Sequence, residues 1–332
     1  MSVPTAETIP SSVSRSSVPG SSVPGSSVPG SSVPGSAMSP GVRPVALQAG
    51  DVTLSALIAQ PAGPPRATVV AVHGGGMSAA YFDGQAHPDV SLLALGARLG
   101  YTMVAVDRPG YGLSAAGAPG GQTLAEQAGA LHAALRHLAG RAETGAGVFL
   151  LAHSFGGKLA LTYAACQAGD PDPALPPLLG LDISGLGRDY AVDPGNGPDP
   201  HQHRNWKRNW GALRFYPPNT FREAEAMVAP MPPRERAEAV QWPRRFPVAA
   251  AAVQVPVRLT FAEQELWWHH DEDTVADLAA HFASAPSASV DRQPGAGHNI
   301  SLGWAARTYH LRAFAFFEQC LARRTAGPSV TP

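Results

Sequence analysis

The sequence, 332 residues long, predicts an α/β fold: a mostly parallel sheet covered by helices on both faces. Two observations carry that prediction. Short, continuous apolar runs of strand length alternate with longer segments of helical apolar spacing, as strands buried on both faces and their crossover helices require. The rhythm fails once, between Leu186 and about Val253, where Pro, Arg and aromatic residues accumulate, and then resumes. An insertion over one edge of a single sheet has that signature.

The elements follow in order. Residues 45–47 and 52–58 alternate in strand fashion around the Gly50-Asp51 turn and predict an opening hairpin. Then come a strand at 67–72, a helix at 90–99, a strand at 102–106, a helix at 124–138, a strand at 148–151, a helix at 156–166 and a strand at 178–183. After the interruption the sequence predicts a strand at 257–261, a helix at 273–282, a strand at 288–291 and a last amphipathic helix at 304–321. The domain reading is a core over 42–185 and 255–325, split by a cap over 186–254, with a flexible end at 326–332. Residues 16–35 are four tandem copies of Ser-Ser-Val-Pro-Gly, too poor in large apolar side chains to offset ordering entropy, so a disordered tail is expected over 1–41.

Composition narrows the function classes. A hydrophobic fraction of 44% permits a sizeable core, and a net charge of −1 offers no field for a polyanion, so nucleic acid is not an expected partner. No apolar run approaches the ~20 residues of a membrane span, and the N-terminal residues lack a signal-peptide pattern. A soluble cytoplasmic protein is expected. Cys166 and Cys320 fall in helical patterns without metal or redox spacing, and read as buried reduced thiols.

The segment Phe149-Leu-Leu-Ala-His-Ser-Phe-Gly-Gly157 is an apolar strand running into a tight turn and then a helix. It resembles the nucleophile elbow of the α/β-hydrolase superfamily, G-x-S-x-G, with Ala152 in the first glycine position and Ser154 as nucleophile. Standing alone, Ser154 would serve equally well as a helix cap. Other features follow in the family's order. His73-Gly74-Gly75-Gly76-Met77, after the first central strand, is similar to the family's oxyanion loop, whereas a phosphate loop would need a Lys-Ser/Thr ending or G-x-G-x-x-G spacing. The resemblance implies backbone donors at Gly75 and Phe155, with His73 as a brace. Asp107-Arg-Pro-Gly-Tyr-Gly-Leu-Ser114 matches the D-x-x-G-x-G-x-S turn, read as scaffold.

His298, in Gly295-Ala-Gly-His-Asn-Ile300, stands where the family keeps its catalytic histidine. Glu265 aligns with the family's acid after the strand at 257–261, giving the order Ser154, Glu265, His298; Glu263, Asp271 and Asp182 stay open as rivals. The resemblance covers nearly everything from 45 to 322 except the cap.

Such a set implies acyl transfer to serine, then to water, without a metal or organic cofactor. Ester or thioester hydrolysis is the first expectation. Acyl transfer in secondary metabolism is the second, and a non-catalytic ligand-binding protein on the same fold the third. Haloalkane dehalogenase or epoxide hydrolase chemistry would place an aspartate where Ser154 stands. Trp206, Trp210 and Tyr216 in the cap, Met77 in the oxyanion loop, and Trp267 and Trp268 after the proposed acid are candidate substrate contacts; the cap aromatics would equally form a small core of their own. With the cap arginines, they suit a small-molecule acyl substrate, free or bound to CoA or a carrier protein. Oligomeric state stays open, a homodimer included.

Overall fold

The structure, a computed structural model, describes residues 38–141, 143–194, 203–225 and 227–325, with side chains at 203–205 left aside. The repeats at 16–35 and the C-terminal end at 326–332 lie outside the described residues.

Eight strands form one sheet: β1 (Val42–Ala49), β2 (Val52–Ala59), β3 (Thr68–Val72), β4 (Thr102–Val106), β5 (Val148–His153), β6 (Leu178–Ser184), β7 (Val257–Gln264) and β8 (Ala288–Gly297). Their order in space is β1-β2-β4-β3-β5-β6-β7-β8, with β2 antiparallel to β1 and β4 and every other pair parallel. Every residue of β3, β4 and β5 is buried, which explains their unbroken apolar runs.

Because side chains alternate across a strand, the sheet feeds two cores. Val70, Val72, Val104, Leu150 and Ile183 meet α2 (Leu124–Ala139) and α3 (Phe155–Gly169) on one face. Val69, Ala71, Met103, Phe149 and Leu151 meet α1 (Leu92–Arg98) and α8 (Ala306–Thr325) on the other. The start of α2 carries a capping box, with Thr123 and Glu126 each satisfying the other's backbone N–H.

Between β6 and β7 lie α4 (His203–Trp210), α5 (Thr220–Ala224) and the long α6 (Pro233–Ala252). The sequence gives no helical signal for α6, because Pro243 and Pro247 interrupt its interior. Burial overrides that penalty: Trp242, Phe246 and Ala250, at four-residue spacing, join the core on the α2–α3 face. The latter part of the segment expected to overhang the sheet therefore covers it. A short α7 (Glu272–Ala280) connects β7 to β8. Cys320 is a buried free thiol, but Cys166 is exposed, because it sits on the outward face of α3. Among the described residues no helix is long and apolar enough to cross a membrane.

Candidate active site

The site is assembled at the carboxyl ends of the central strands, where parallel sheets leave a crevice. Ser154 ends β5 in a turn with φ 51° and ψ −115°, alone among described non-glycine residues in having a positive φ. Such a conformation costs about 1–3 kcal/mol and must be held from outside. The Ser154 N–H donates to the Ser184 carbonyl at 2.8 Å, and the Gly157 N–H to the Ser154 carbonyl at 2.9 Å. Gly156 accounts for the small-residue pattern, since a Cβ there would lie 2.2 Å from the Val72 carbonyl oxygen.

His298 directly follows β8. Its Nε2 lies 3.0 Å from Ser154 Oγ and its Nδ1 lies 2.8 Å from Glu265 Oε2. Glu265 is buried, and its other oxygen accepts the Trp267 N–H at 3.0 Å, which fixes the carboxylate plane. With Nδ1–H donated to Glu265, Nε2 is left to accept the serine proton. Room for the ring comes from Gly185 (φ 62°), where a Cβ would lie 2.8 Å from His298 Cε1. The rival carboxylates are engaged elsewhere. Glu263 accepts the Gly295 N–H at 2.7 Å, Asp271 caps α7, and Asp182 pairs with Arg258 and accepts the Tyr309 hydroxyl at 2.9 Å.

The loop after β3 passes over the serine, close enough that a Cβ on Gly74 would meet Ser154 Cβ at 3.2 Å. Arg108, from the turn after β4, holds this loop: its guanidinium donates to the carbonyls of His73 (2.9 Å) and Gly74 (3.1 Å) and pairs with Glu235 of α6, all fully buried or nearly so. Tyr111 completes the brace, accepting the Gly76 N–H at 3.0 Å and donating to Glu235 at 2.8 Å. His73 accepts the Arg108 N–H on Nε2 and donates from Nδ1 to the Gly74 carbonyl, so both nitrogens are spent on structure. Burial, reinforced by Arg108, holds its pKa well below the ordinary value and keeps the ring neutral. Gly75 and Phe155 both line the cleft in front of Ser154.

A family model described as "Alpha/beta hydrolase family" matches residues 69–309, a span that contains Ser154, Glu265 and His298. The chain belongs to the α/β-hydrolase family. No curated protein matches the sequence. Among solved structures, the chain is similar to a thermostable carboxyl esterase from Bacillus coagulans in complex with glycerol (18% identity, 84% of this chain and 99% of that one, TM-score 0.61). It is also similar to a bacterial membrane phospholipase A (17%, 85% and 87%, 0.59) and to a laboratory-evolved potato epoxide hydrolase (16%, 84% and 99%, 0.55). At these identities the likeness is one of fold.

Within this α/β-hydrolase the cleft beside Ser154 is lined by Met77, Met231, Trp267 and Trp268, so three of the expected contacts, Met77, Trp267 and Trp268, reach it. Trp206, Trp210 and Tyr216 do not. They pack with Phe221 in an aromatic cluster, at ring separations of 5.1–5.7 Å, and join the core on the α1–α8 face. The cleft also holds residues that sequence reasoning passed over: Lys158, Tyr190, Asn209 and Arg236. Lys158 had a legible signal. It is the lone charge in α3, in a first half, 155–161, that otherwise holds only apolar residues and glycine and so belongs to a buried stretch. Its Nζ donates to Tyr190 Oη, and burial pushes its pKa down to about 7, against the pull of Glu235 and Glu238 and with the push of Arg108.

Proposed function

We propose that this α/β-hydrolase is a serine hydrolase that cleaves a carboxylic ester or thioester through an acyl-enzyme on Ser154, with His298 as base and Glu265 as the acid that orients it. The observation that carries the reading is the unbroken hydrogen-bonded chain from Ser154 Oγ through His298 to Glu265, mounted on a strained turn.

His298 Nε2 takes the hydroxyl proton as Ser154 Oγ attacks the acyl carbon, and the Gly75 and Phe155 N–H groups face the developing oxyanion. Loss of the alcohol or thiol, protonated by His298, leaves the acyl-enzyme. Water attacks it with the same imidazole as base, releasing the acid and free Ser154. Glu265 keeps the tautomer and steadies the imidazolium. Met77, Met231, Trp267 and Trp268 give the acyl chain an apolar wall. The fold also hosts an epoxide hydrolase, but a serine in the elbow suits acyl transfer, whereas that chemistry asks for a carboxylate nucleophile.

The test is turnover of 4-nitrophenyl esters and acyl thioesters of graded chain length, with labelling by a fluorophosphonate. The wild type turns over and is labelled; Ser154→Ala lowers kcat by roughly 10⁶-fold and is not labelled. Equal turnover by wild type and variant removes the assignment.

A further inference from the structure

The cleft holds a cation for which the proposed acyl transfer has no use. Lys158 lies one turn of α3 beyond Ser154, is 3% exposed, and lines the same cleft. Its ammonium is ringed by Phe155, Tyr190, Trp242 and Trp268, with ring centroids 5.1–5.8 Å away. Those faces stabilise positive charge but accept no conventional hydrogen bond. Of its three N–H donors, one is given to Tyr190 Oη, whose own proton goes to the Ala239 carbonyl at 3.2 Å. Among the described residues no carboxylate forms an ion pair with it. Among the described residues the lining contains a second cation, Arg236, and no aspartate or glutamate.

We propose that Lys158 is the anion-recognition residue of the cleft, so that the preferred substrate is an ester or thioester whose acyl chain ends in a carboxylate. This deepens the reading of the cleft as an acyl site and rests on it. A buried charge without a counter-charge is a standing cost to the fold, and methionine or leucine would fill the same space without it. A ligand carboxylate supplies what is missing: one negative charge and two oxygens for the donors left over after Tyr190. The two donors left on Lys158 match the two oxygens of a carboxylate more closely than the larger set on a phosphate.

Two measurements test it, both made below pH 7, where the Lys158 amine keeps its proton. The first compares 4-nitrophenyl hydrogen adipate with its methyl ester, which differs in the terminal charge. The wild type favours the anionic ester, and Lys158→Met lowers kcat/KM for it roughly 10- to 100-fold more than for the neutral ester, as loss of a charge-assisted hydrogen bond predicts. Equal losses on the two esters overturn the proposal and leave Lys158 a packing residue. The second needs no change at Lys158: Ser154→Ala is titrated with monomethyl adipate, dimethyl adipate and inorganic phosphate, read by tryptophan fluorescence from Trp242 and Trp268. Saturable quenching by the carboxylate alone supports the proposal; no response, or the same response to the dimethyl ester or to phosphate, overturns it. Saturable quenching in a protein that cleaves no ester and takes no fluorophosphonate would instead remove the hydrolase reading and leave the carboxylate site standing.

Discussion

Glu263 and Glu265 stand two positions apart at the end of β7, yet one is exposed and the other buried against His298. Simple alternation would put them on one side; a register shift between Ala262 and Gln264, followed by a turn in which the Glu265 N–H donates to the Ala262 carbonyl, separates them. Residue pattern alone does not reveal that irregularity, which is why the sequence left several carboxylates open. Glu265→Gln should lower kcat by roughly 10²- to 10⁴-fold, by analogy with loss of the orienting acid in serine proteases, while Glu263→Gln leaves kcat near wild type. Asp182→Ala, which leaves the buried Arg258 only the half-exposed Asp291 as counter-charge and removes the acceptor of the Tyr309 hydroxyl, should instead cost about 1–3 kcal/mol in thermal or urea unfolding, with turnover by the folded fraction retained. Lys158 makes the opposite prediction for stability. Its folded pKa of about 7 lies below the ordinary 10.5, so between those values the unfolded chain holds a proton that the folded chain has released. The destabilisation is therefore full below pH 7 and fades as the pH climbs toward 10.5. Lys158→Met should raise Tm, more at about pH 6.5 than at about pH 10. The groups that set this balance are Glu235 and Glu238 on α6, Arg108 beyond β4, and the rings of Phe155, Tyr190, Trp242 and Trp268.

Among the elements, those whose side chains face inward everywhere were the most legible. β3, β4 and β5 appear in the sequence as unbroken apolar runs because both their faces are covered, and the elbow shows itself because close backbone approach excludes larger side chains. α6 was illegible for a physical reason: the prolines that disfavour it are local, whereas the burial of Trp242 and Phe246 that stabilises it is tertiary. Trp206, Trp210 and Tyr216 show the same limit, since aromatic content does not say whether rings face a cleft or one another. Gly185, at the end of β6, offers a test of how strands position the His298 imidazole. Gly185→Ala places a methyl group against His298 and strains a left-handed backbone, so the imidazole must move. A displacement of about 1 Å is expected to lower kcat and the rate of fluorophosphonate labelling roughly 10²-fold, with a smaller change in KM.

At the scale of the whole molecule, both faces of the sheet and the crevice at its end enclose histidines that do not ionise. Burial holds His310 down to about 3 and His73 and His153 well below the ordinary 6.5. Each is neutral in the fold and takes up a proton on unfolding once the pH drops below 6.5, so the stability they permit is whole above that value and is lost toward more acid pH. Unfolding between about pH 6 and pH 4.5 should take up as many as three protons from this source, measured as the slope of unfolding free energy against pH; a flat profile there would contradict their burial. Ser154, finally, stands at the N-cap of α3, and Lys158 lies in the first turns of that helix, between the sheet and α6. Both residues belong to the elbow and the helix it opens, so the spacing of hydroxyl and amine is set by the scaffold and not by the segment between β6 and β7. An ester whose charged end met the amine while its carbonyl met the hydroxyl would be gauged as if against a ruler, and homologues much too short or too long would register one end only.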